Sequence, residues 1–173
     1  MSTEYPGWRG TDSYASLTAV RPTLYEFAGG MPAFQALATA HHARCLADPE
    51  LNHPFSHPDQ HPRHVERLAA YWAEVLGGPP TFSRECGDHT QVVRMHCGNG
   101  DISDLGNRFV ECFVAAMDDV DMPKEPEFRA AMRAYMRWAT DEMIGHPERD
   151  AVIAPDLPMP LWDWDGPVSR TGR

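Results

Sequence analysis

Apolar residues recur every three or four positions along most of the chain, which predicts amphipathic helices. The clearest pattern lies in a helix predicted over residues 61–76, whose apolar face is formed by Val65, Leu68, Ala69, Trp72, Val75 and Leu76. The same spacing predicts helices over residues 32–48, 104–120 and 127–144, and Ser103 is the expected N-cap of the helix at 104–120. No strand-like alternation of any length occurs, so the pattern predicts an all-α protein.

Glycine and proline set the limits of these helices. Residues 24–27 predict a helical turn that Gly29 and Gly30 end, and Gly77 and Gly78 end the helix at 61–76 in the same way. We expect a loop with one short turn over residues 49–60 and a second loop over residues 80–90. A short helix then ends at His96. The first 20 residues are a polar extension for which no element is predicted, and the last 28 residues are expected to be irregular.

Charge and composition exclude several classes of partner. The net charge is −10 and Lys124 is the only lysine, which argues against nucleic acid and anionic membranes, since both demand clustered cations. No apolar run approaches the ~20 residues that cross a bilayer, and residues 1–7 lack the features of a secretory signal. We therefore expect one cytoplasmic domain. The four cysteines form no CxxC pair, which argues against a zinc ribbon.

Histidine is the main candidate for chemistry, with nine residues in the chain. His53, His57, His61 and His64 are close together in the sequence. The first three are spaced four residues apart, which is the spacing of metal ligands on one helix face. However, proline directly follows each of the first three and would break such a helix. We therefore expect most of these histidines to be solvated loop residues.

The remaining histidines permit two interpretations. His41 and His64 lie on the buried faces of their predicted helices, and His42 lies at the edge, so they either line a ligand cavity or are satisfied by backbone and water. Their positions on the helix faces alone favour histidines that are satisfied by backbone and water. A ligand cavity becomes the better interpretation if His96 faces the same cavity. His96 lies between two amphipathic helices, which is typical of an all-α protein that holds haem iron, although a capping or core histidine is the alternative.

The order of four short motifs resembles that of the truncated (two-over-two) haemoglobins, and group II most of all. Residues 24–30 resemble the family's opening Gly-Gly motif, and residues 46–51 resemble the end of helix B and its turn. Residues 76–80 resemble the Gly-Gly-Pro motif after helix E, and residues 93–96 resemble the end of helix F with its proximal histidine. The resemblance implies a two-over-two globin domain over residues 22–145, between extensions at 1–21 and 146–173.

The resemblance also implies a set of haem-binding residues. His96 would be the axial ligand of the iron in a haem b, and Arg94 would pair with a haem propionate, since arginine suits carboxylates. His42 and His64 would lie on the distal side, where the ligand binds. The other expected contacts to the cofactor are Phe55, Leu68, Tyr71 and Phe109.

The sequence departs from the family at two of these positions. His42 stands where family members usually carry tyrosine, and Phe109 stands where group II members carry tryptophan. Residues 97–100 also differ from the apolar run that usually follows the proximal histidine. These departures leave the ligand chemistry open, whereas the proximal histidine matches the family pattern.

The favoured interpretation is a haem protein that binds dioxygen or other diatomic ligands, with nitric oxide dioxygenation or peroxidase-like oxidation as its turnover. The alternatives are a globin-derived haem enzyme that acts on an organic substrate, and a haem-free globin-like interaction or sensor module. An electron donor and a second copy of the chain, forming a homodimer, are the protein partners left open. Two tryptophans in the C-terminal extension are costly to leave in water, so we expect that extension to pack on the globin body or a second subunit.

Overall fold

The fold is described by a computed structural model that covers residues 20–169. The extension expected at residues 1–21 therefore lies almost wholly outside the described residues. The described helices are α1 (Leu24–Ala28), α2 (Met31–Ala47), α3 (Asn52–Phe55), α4 (His64–Val75), α5 (Thr81–Glu85), α6 (His89–His96), α7 (Ser103–Asp119) and α8 (Pro126–Ile144). Two short strands, β1 (Trp162–Asp163) and β2 (Gly166–Pro167), form an antiparallel hairpin.

Two helix pairs stack on each other to form the core. Helix α2 packs against both α4 and α7, and α7 packs in turn against α8. The largest fully buried side chains come from all four helices or their ends, and include Phe34, Leu37, Leu76, Phe113, Phe128, Met132 and Tyr135. This arrangement confirms the all-α, two-over-two prediction, because the long amphipathic helices predicted from the sequence are the ones that build the core.

Three local predictions need correction. Residues 80–90 were expected to be a loop but contain the short helix α5, whose Phe82 is buried, and the first two residues of α6. Ser103 is wrong as the N-cap of α7, because it is the first residue of that helix and its hydroxyl bonds Asp101. The C-terminal extension, expected to be irregular, carries the β1–β2 hairpin, since two residues per strand are too few to leave an alternating pattern.

The two glycine motifs meet at Tyr25, a half-buried residue of α1. The Tyr25 amide donates to the carbonyl of Leu76 at 2.9 Å, and the Tyr25 hydroxyl accepts from the amide of Met31 at 3.0 Å. A Cβ at Gly78 would lie 2.8 Å from the Tyr25 ring, and a Cβ at Gly77, whose φ is +94°, would lie 2.7 Å from Thr23. Only glycine at both positions allows α1 to pack on the end of α4.

The C-terminal extension packs on the globin body, as expected. The Trp162 ring is buried with its centroid 6.0 Å from that of Tyr135 and 5.5 Å from that of Trp138. Trp164 donates from Nε1 to the carbonyl of Pro22 at 2.8 Å, and the guanidinium of Arg21 lies 3.5 Å above its ring. Both tryptophans therefore pack on the same copy of the chain, which avoids the free-energy cost of exposing their apolar surface to water.

A preceding stretch of the same extension runs along α6. The amide of Gly98 donates to the carbonyl of His146 at 3.0 Å. The Thr90 hydroxyl accepts from the amide of Leu157 at 2.8 Å and donates to the carbonyl of Ala154 at 3.5 Å. These bonds fix the helix that ends at His96 to residues 146–157. Within residues 20–169, no helix is long and apolar enough to cross a membrane.

Candidate functional site

Two histidines from different helices face each other beside a phenylalanine ring. His42 lies on α2 and His64 is the first residue of α4, and their ring centroids are 5.5 Å apart. The ring of Phe55, the last residue of α3, lies 6.1 Å from His42 and 6.4 Å from His64. The structure thus brings together three of the predicted site residues that are distant in sequence.

One nitrogen of each histidine has no partner. His42 Nδ1 and His64 Nε2 are buried, and neither atom makes a hydrogen bond within the described part of the chain. Buried polar atoms in proteins almost always have a partner, and an unpaired one costs about 1–3 kcal/mol. Each of these nitrogens can therefore hydrogen-bond a ligand or a water molecule.

Burial keeps both imidazoles neutral at pH 7. Loss of solvation, together with the nearby imidazoles of His42 and His96, lowers the pKa of His64 to about 4. Burial also lowers the pKa of His42 below its ordinary value. A neutral imidazole carries one N–H donor and one lone pair, so each ring can donate or accept a hydrogen bond.

His41 has a different environment from its neighbour. Its side chain is fully buried, and Nε2–H donates to the carbonyl of Phe109 at 3.3 Å. Its ring packs edge-on against the Phe109 ring at 4.4 Å, and Cys45 Sγ lies 3.6 Å from Nε2. Burial lowers its pKa to about 4. His41 is thus the satisfied core histidine that the sequence left as an alternative, and it is not free to bind a ligand.

Apolar side chains complete the surroundings of the histidine pair. The rings of Phe55 and Phe109 stack with centroids 5.7 Å apart and an interplanar angle of 22°. Phe109 and Leu68 are both partly buried against the hydrophobic core. Neither phenylalanine ring carries a polar atom, so neither can hydrogen-bond a ligand beside the histidine pair.

His96 is the last residue of α6 and is exposed. Its Nδ1–H donates to the carbonyl of Val92, one turn earlier, at 2.7 Å. This bond fixes the tautomer, so the lone pair lies on Nε2, the atom that is free to ligate a metal. Helix α6 is positioned by Asp88, whose side chain accepts from the amide of Gln91 and caps its first turn.

Arg94 and Tyr71 do not join the histidine pair in this structure. Arg94 lies on α6 and is exposed, and its Nη2 lies 3.5 Å from the carbonyl oxygen of Ile153 in the C-terminal extension. Tyr71 is buried, and its hydroxyl donates to Nδ1 of His89 at 2.8 Å. His89 Nε2–H donates in turn to Glu142 Oε1 at 3.1 Å.

The contacts of His89 with Tyr71 and Glu142 were not predicted from the sequence. His89 lies in a stretch expected to be a loop, and Glu142 is 53 residues further along the chain on α8. Asp88 was the only available signal, since an aspartate before an apolar-periodic run marks a helix start and would have placed His89 in the first turn.

A cavity of about 310 Å³ opens beside the histidine pair. It is lined by His42, His57, Gln60, His61, Pro62, Arg63, His64, Val65 and Glu66. Four of these nine residues are histidines, and Arg63 and Glu66 pair with each other at 2.5 Å. Among the described residues, no three His, Cys, Asp or Glu side chains are grouped so that they could hold a metal ion.

Solved structures with a similar fold are bacterial haemoglobins. A thermostable haemoglobin from Thermobifida fusca is 29% identical over 73% of this chain and 100% of its own, with a TM-score of 0.60. The haemoglobin of Chloroflexus aurantiacus is 28% identical over 72% of this chain and 98% of its own, with a TM-score of 0.59. The group II truncated haemoglobin of Bacillus anthracis shares the fold at 19% identity, with 76% of this chain and 97% of its own covered and a TM-score of 0.61.

No functionally curated protein matches the sequence. The family model described as bacterial-like globin matches residues 23–150, about three quarters of the chain. The match spans the helices from α1 to α8, and so includes His42, His64 and His96. The chain therefore belongs to the bacterial-like globin family and has the two-over-two fold of the truncated haemoglobins.

Proposed function

We propose that this globin holds a haem b through His96 and binds dioxygen or a related diatomic ligand on the side that carries His42 and His64. The observation that carries the proposal is the combination of three imidazoles with free nitrogens. His96 Nδ1 is occupied by the carbonyl of Val92, which leaves Nε2 as a ligand, while His42 Nδ1 and His64 Nε2 are buried without partners among residues 20–169.

The surrounding residues fit a haem group. His64 and His96 lie close enough for the charge of one to lower the pKa of the other, and they belong to α4 and α6, which are separate helices. The stacked rings of Phe55 and Phe109 and the side chain of Leu68 would supply the apolar contacts that a porphyrin needs. Arg94 is the proposed partner of a propionate, for which it would exchange its weak bond to the carbonyl of Ile153.

When bound, the haem supplies a ferrous iron that gives electron density to a diatomic ligand. The two distal imidazoles would then act on the ligand's negative charge. Because burial lowers the pKa of each, both rings are neutral at pH 7 and each offers an N–H donor without bringing a full charge. The unpaired nitrogens would gain a partner, which stabilises the bound ligand.

A second activity is favoured by the same imidazoles. Each neutral ring also carries a lone pair, so His42 or His64 can accept a proton from hydrogen peroxide and return it to the departing oxygen. The cavity of about 310 Å³ beside the pair would admit a small reductant from solvent. We therefore propose peroxidase-like oxidation as the turnover, supported by an electron donor, ahead of nitric oxide dioxygenation.

The experiment is an absorption spectrum of the purified full-length protein, ferric and then ferrous, with and without carbon monoxide. We expect a Soret band that shifts on reduction and again on adding carbon monoxide, and haem that extracts into acidic organic solvent because no CxxCH attachment motif exists. A protein that takes up no haem would be a haem-free module. Peroxide-dependent oxidation of a reductant then separates turnover from ligand binding alone.

A further inference from the structure

The buried contact between Tyr71 and His89 connects the two helices that carry the proposed haem contacts. On α4, Tyr71 follows His64 by seven residues and Leu68 by three, so the three side chains share one helix face. On α6, His89 precedes His96 by seven residues and shares its face in the same way. The bond from Tyr71 to His89 therefore joins α4 to α6 along the faces that would enclose the cofactor.

The three groups form a continuous chain of hydrogen bonds. Tyr71 Oη–H donates to His89 Nδ1 at 2.8 Å, and His89 Nε2–H donates to Glu142 Oε1 at 3.1 Å. The side chain of His89 is only 4% exposed, so its orientation is fixed by these two bonds. The lone pair of Nδ1 faces the phenol, and the carboxylate lies behind the ring, where it would stabilise a positive imidazolium.

A buried phenol cannot lose an electron and keep its proton. The resulting positive charge would be unpaired in a low-dielectric interior, and such a charge is very costly there. Oxidation therefore requires a hydrogen-bonded base. Burial also raises the pKa of the Tyr71 phenol, which keeps the proton in place until the electron leaves.

Tyr135 provides a natural comparison within the same core. It is also fully buried, but its hydroxyl has no hydrogen-bond partner among the described residues. The phenolic proton of Tyr135 thus has no acceptor, so oxidation of that phenol would leave an unpaired positive charge in the low-dielectric interior. Two buried tyrosines of the same protein differ in the one feature that decides whether they can be oxidised.

We propose that Tyr71 is a redox-active tyrosine. After the haem-loaded protein reacts with hydrogen peroxide, Tyr71 would give one electron to the oxidised haem site while its phenolic proton passes to His89. This inference rests on the proposed function. Hydrogen peroxide takes up two electrons and two solvent protons as its O–O bond breaks, and two water molecules form. Tyr71 would supply one of these electrons as its O–H bond breaks, and the haem, when bound, would supply the other.

The proton then lies on Nδ1 of His89, and a neutral phenoxyl radical remains on Tyr71. The new imidazolium is paired with the Glu142 carboxylate, whose second oxygen, Oε2, is buried with no partner in the described part of the chain and can accept another hydrogen bond. When an external reductant supplies an electron to Tyr71, the proton returns along the same bond. Tyr71 would thus let a reductant reach the haem without entering the pocket of His42 and His64.

The test is electron paramagnetic resonance of the haem-loaded full-length protein, frozen after reaction with one equivalent of hydrogen peroxide. Wild-type protein should give a tyrosyl radical signal. Tyr71→Phe should lose it, and Tyr135→Phe, the matched control, should keep it. Mass spectrometry after spin trapping should place the adduct at residue 71 in the wild type and in the control variant.

Two further variants test whether His89 acts as the proton acceptor of Tyr71 or only packs against it. His89→Gln keeps a polar side chain near the phenol but cannot take up its proton, so the radical signal should be largely lost although Tyr71 is present. Glu142→Gln changes the partly exposed last member of the hydrogen-bond chain and should lower the yield of the tyrosyl radical. It serves the same purpose if His89→Gln does not fold. A signal that persists in Tyr71→Phe, or is unchanged in both other variants, would overturn the proposal.

The Soret band, recorded first for each protein, keeps the two ideas distinguishable. A wild type without haem would overturn both the proposed function and the redox role of Tyr71. A normal haem spectrum with the trapped adduct on another residue would overturn the redox role and leave the proposed function standing.

Discussion

The Nδ1 atom of His96 lies 2.7 Å from the carbonyl oxygen of Val92, one turn earlier in α6. This single bond decides which nitrogen of the exposed ring can bind a metal, because it places the proton on Nδ1 and leaves the lone pair on Nε2. It also holds the ring against its own helix, and residues 146–157 fix that helix in turn through Thr90 and Gly98. Orientation of His96 is thus set by the fold before any cofactor binds.

Replacing His42 or His64 with leucine should speed the release of dioxygen. Each variant removes a distal N–H donor to a ligand with anionic character, and such a bond is worth about 1.5–3 kcal/mol, or roughly tenfold to a hundredfold in the equilibrium. Stopped-flow release rates test this, with His53→Leu on exposed α3 as the control. Wild-type rates in both distal variants would place these side chains away from the ligand.

Acid should destabilise the protein through His41. Its folded-state pKa of about 4 lies below the ordinary value of 6.5, so the unfolded chain binds more protons between these values and stability falls as pH falls through that window. The contribution from this one group is about 2 kcal/mol between pH 7 and pH 5. Urea unfolding at both pH values should show a smaller loss in His41→Gln than in the wild type.

The exposed residue His53 offers the control for that experiment, since His53→Gln should keep the wild-type dependence on pH. If His41→Gln and the wild type lose the same stability on acidification, another group carries the acid sensitivity. The buried pair of His42 and His64 would then be the next candidates, because burial lowers the pKa of both.

Substituting Gly78 with alanine should destabilise the fold. The added Cβ would lie 2.7 Å from the carbonyl oxygen of Ala73 and 2.8 Å from the ring of Tyr25, and neither atom is the far end of a flexible side chain. Overpacking of this kind costs about 1–3 kcal/mol. A urea midpoint equal to that of the wild type would show that α1 can move away from the end of α4 without loss.

The docked C-terminal extension should contribute to stability. Trp162 is 7% exposed and packs on Tyr135 and Trp138, so Trp162→Ala should lower the free energy of unfolding by about 3–5 kcal/mol. Val152→Ala, at a side chain that is 95% exposed, is the control and should leave it unchanged. Rapid proteolytic trimming of the native protein before Trp162, without a change in melting temperature, would contradict this account.

Helical periodicity was enough to predict the main architecture. The apolar stripes of α2, α4, α7 and α8 place the core residues, and the glycine pairs mark the ends of α1 and α4 within a few positions. Short helices were harder, because α5 has only five residues and no periodic stripe can form over one turn. The hairpin at residues 162–167 was not predicted for the same reason, since each of its strands has only two residues.

The candidate site was predicted in part. His42, His64 and Phe55 lie together as expected, because each occupies a helix end or face that the family motifs locate. Tyr71 was expected at the cofactor but also bonds His89, and that contact depends on how α4 and α6 are stacked. Such long-range contacts are fixed by packing and leave no local sequence pattern.

The most direct test of the central claim is haem binding by His96→Ala, measured as a Soret titration of the haem-free full-length protein. His53→Ala, which changes an exposed histidine outside the site, is the matched control. We expect the wild type and the control to bind one haem tightly, and His96→Ala to bind weakly or not at all until free imidazole is added. A His96→Ala protein with wild-type affinity and an unchanged ferrous spectrum would contradict the account, since another residue would then be the ligand of the iron.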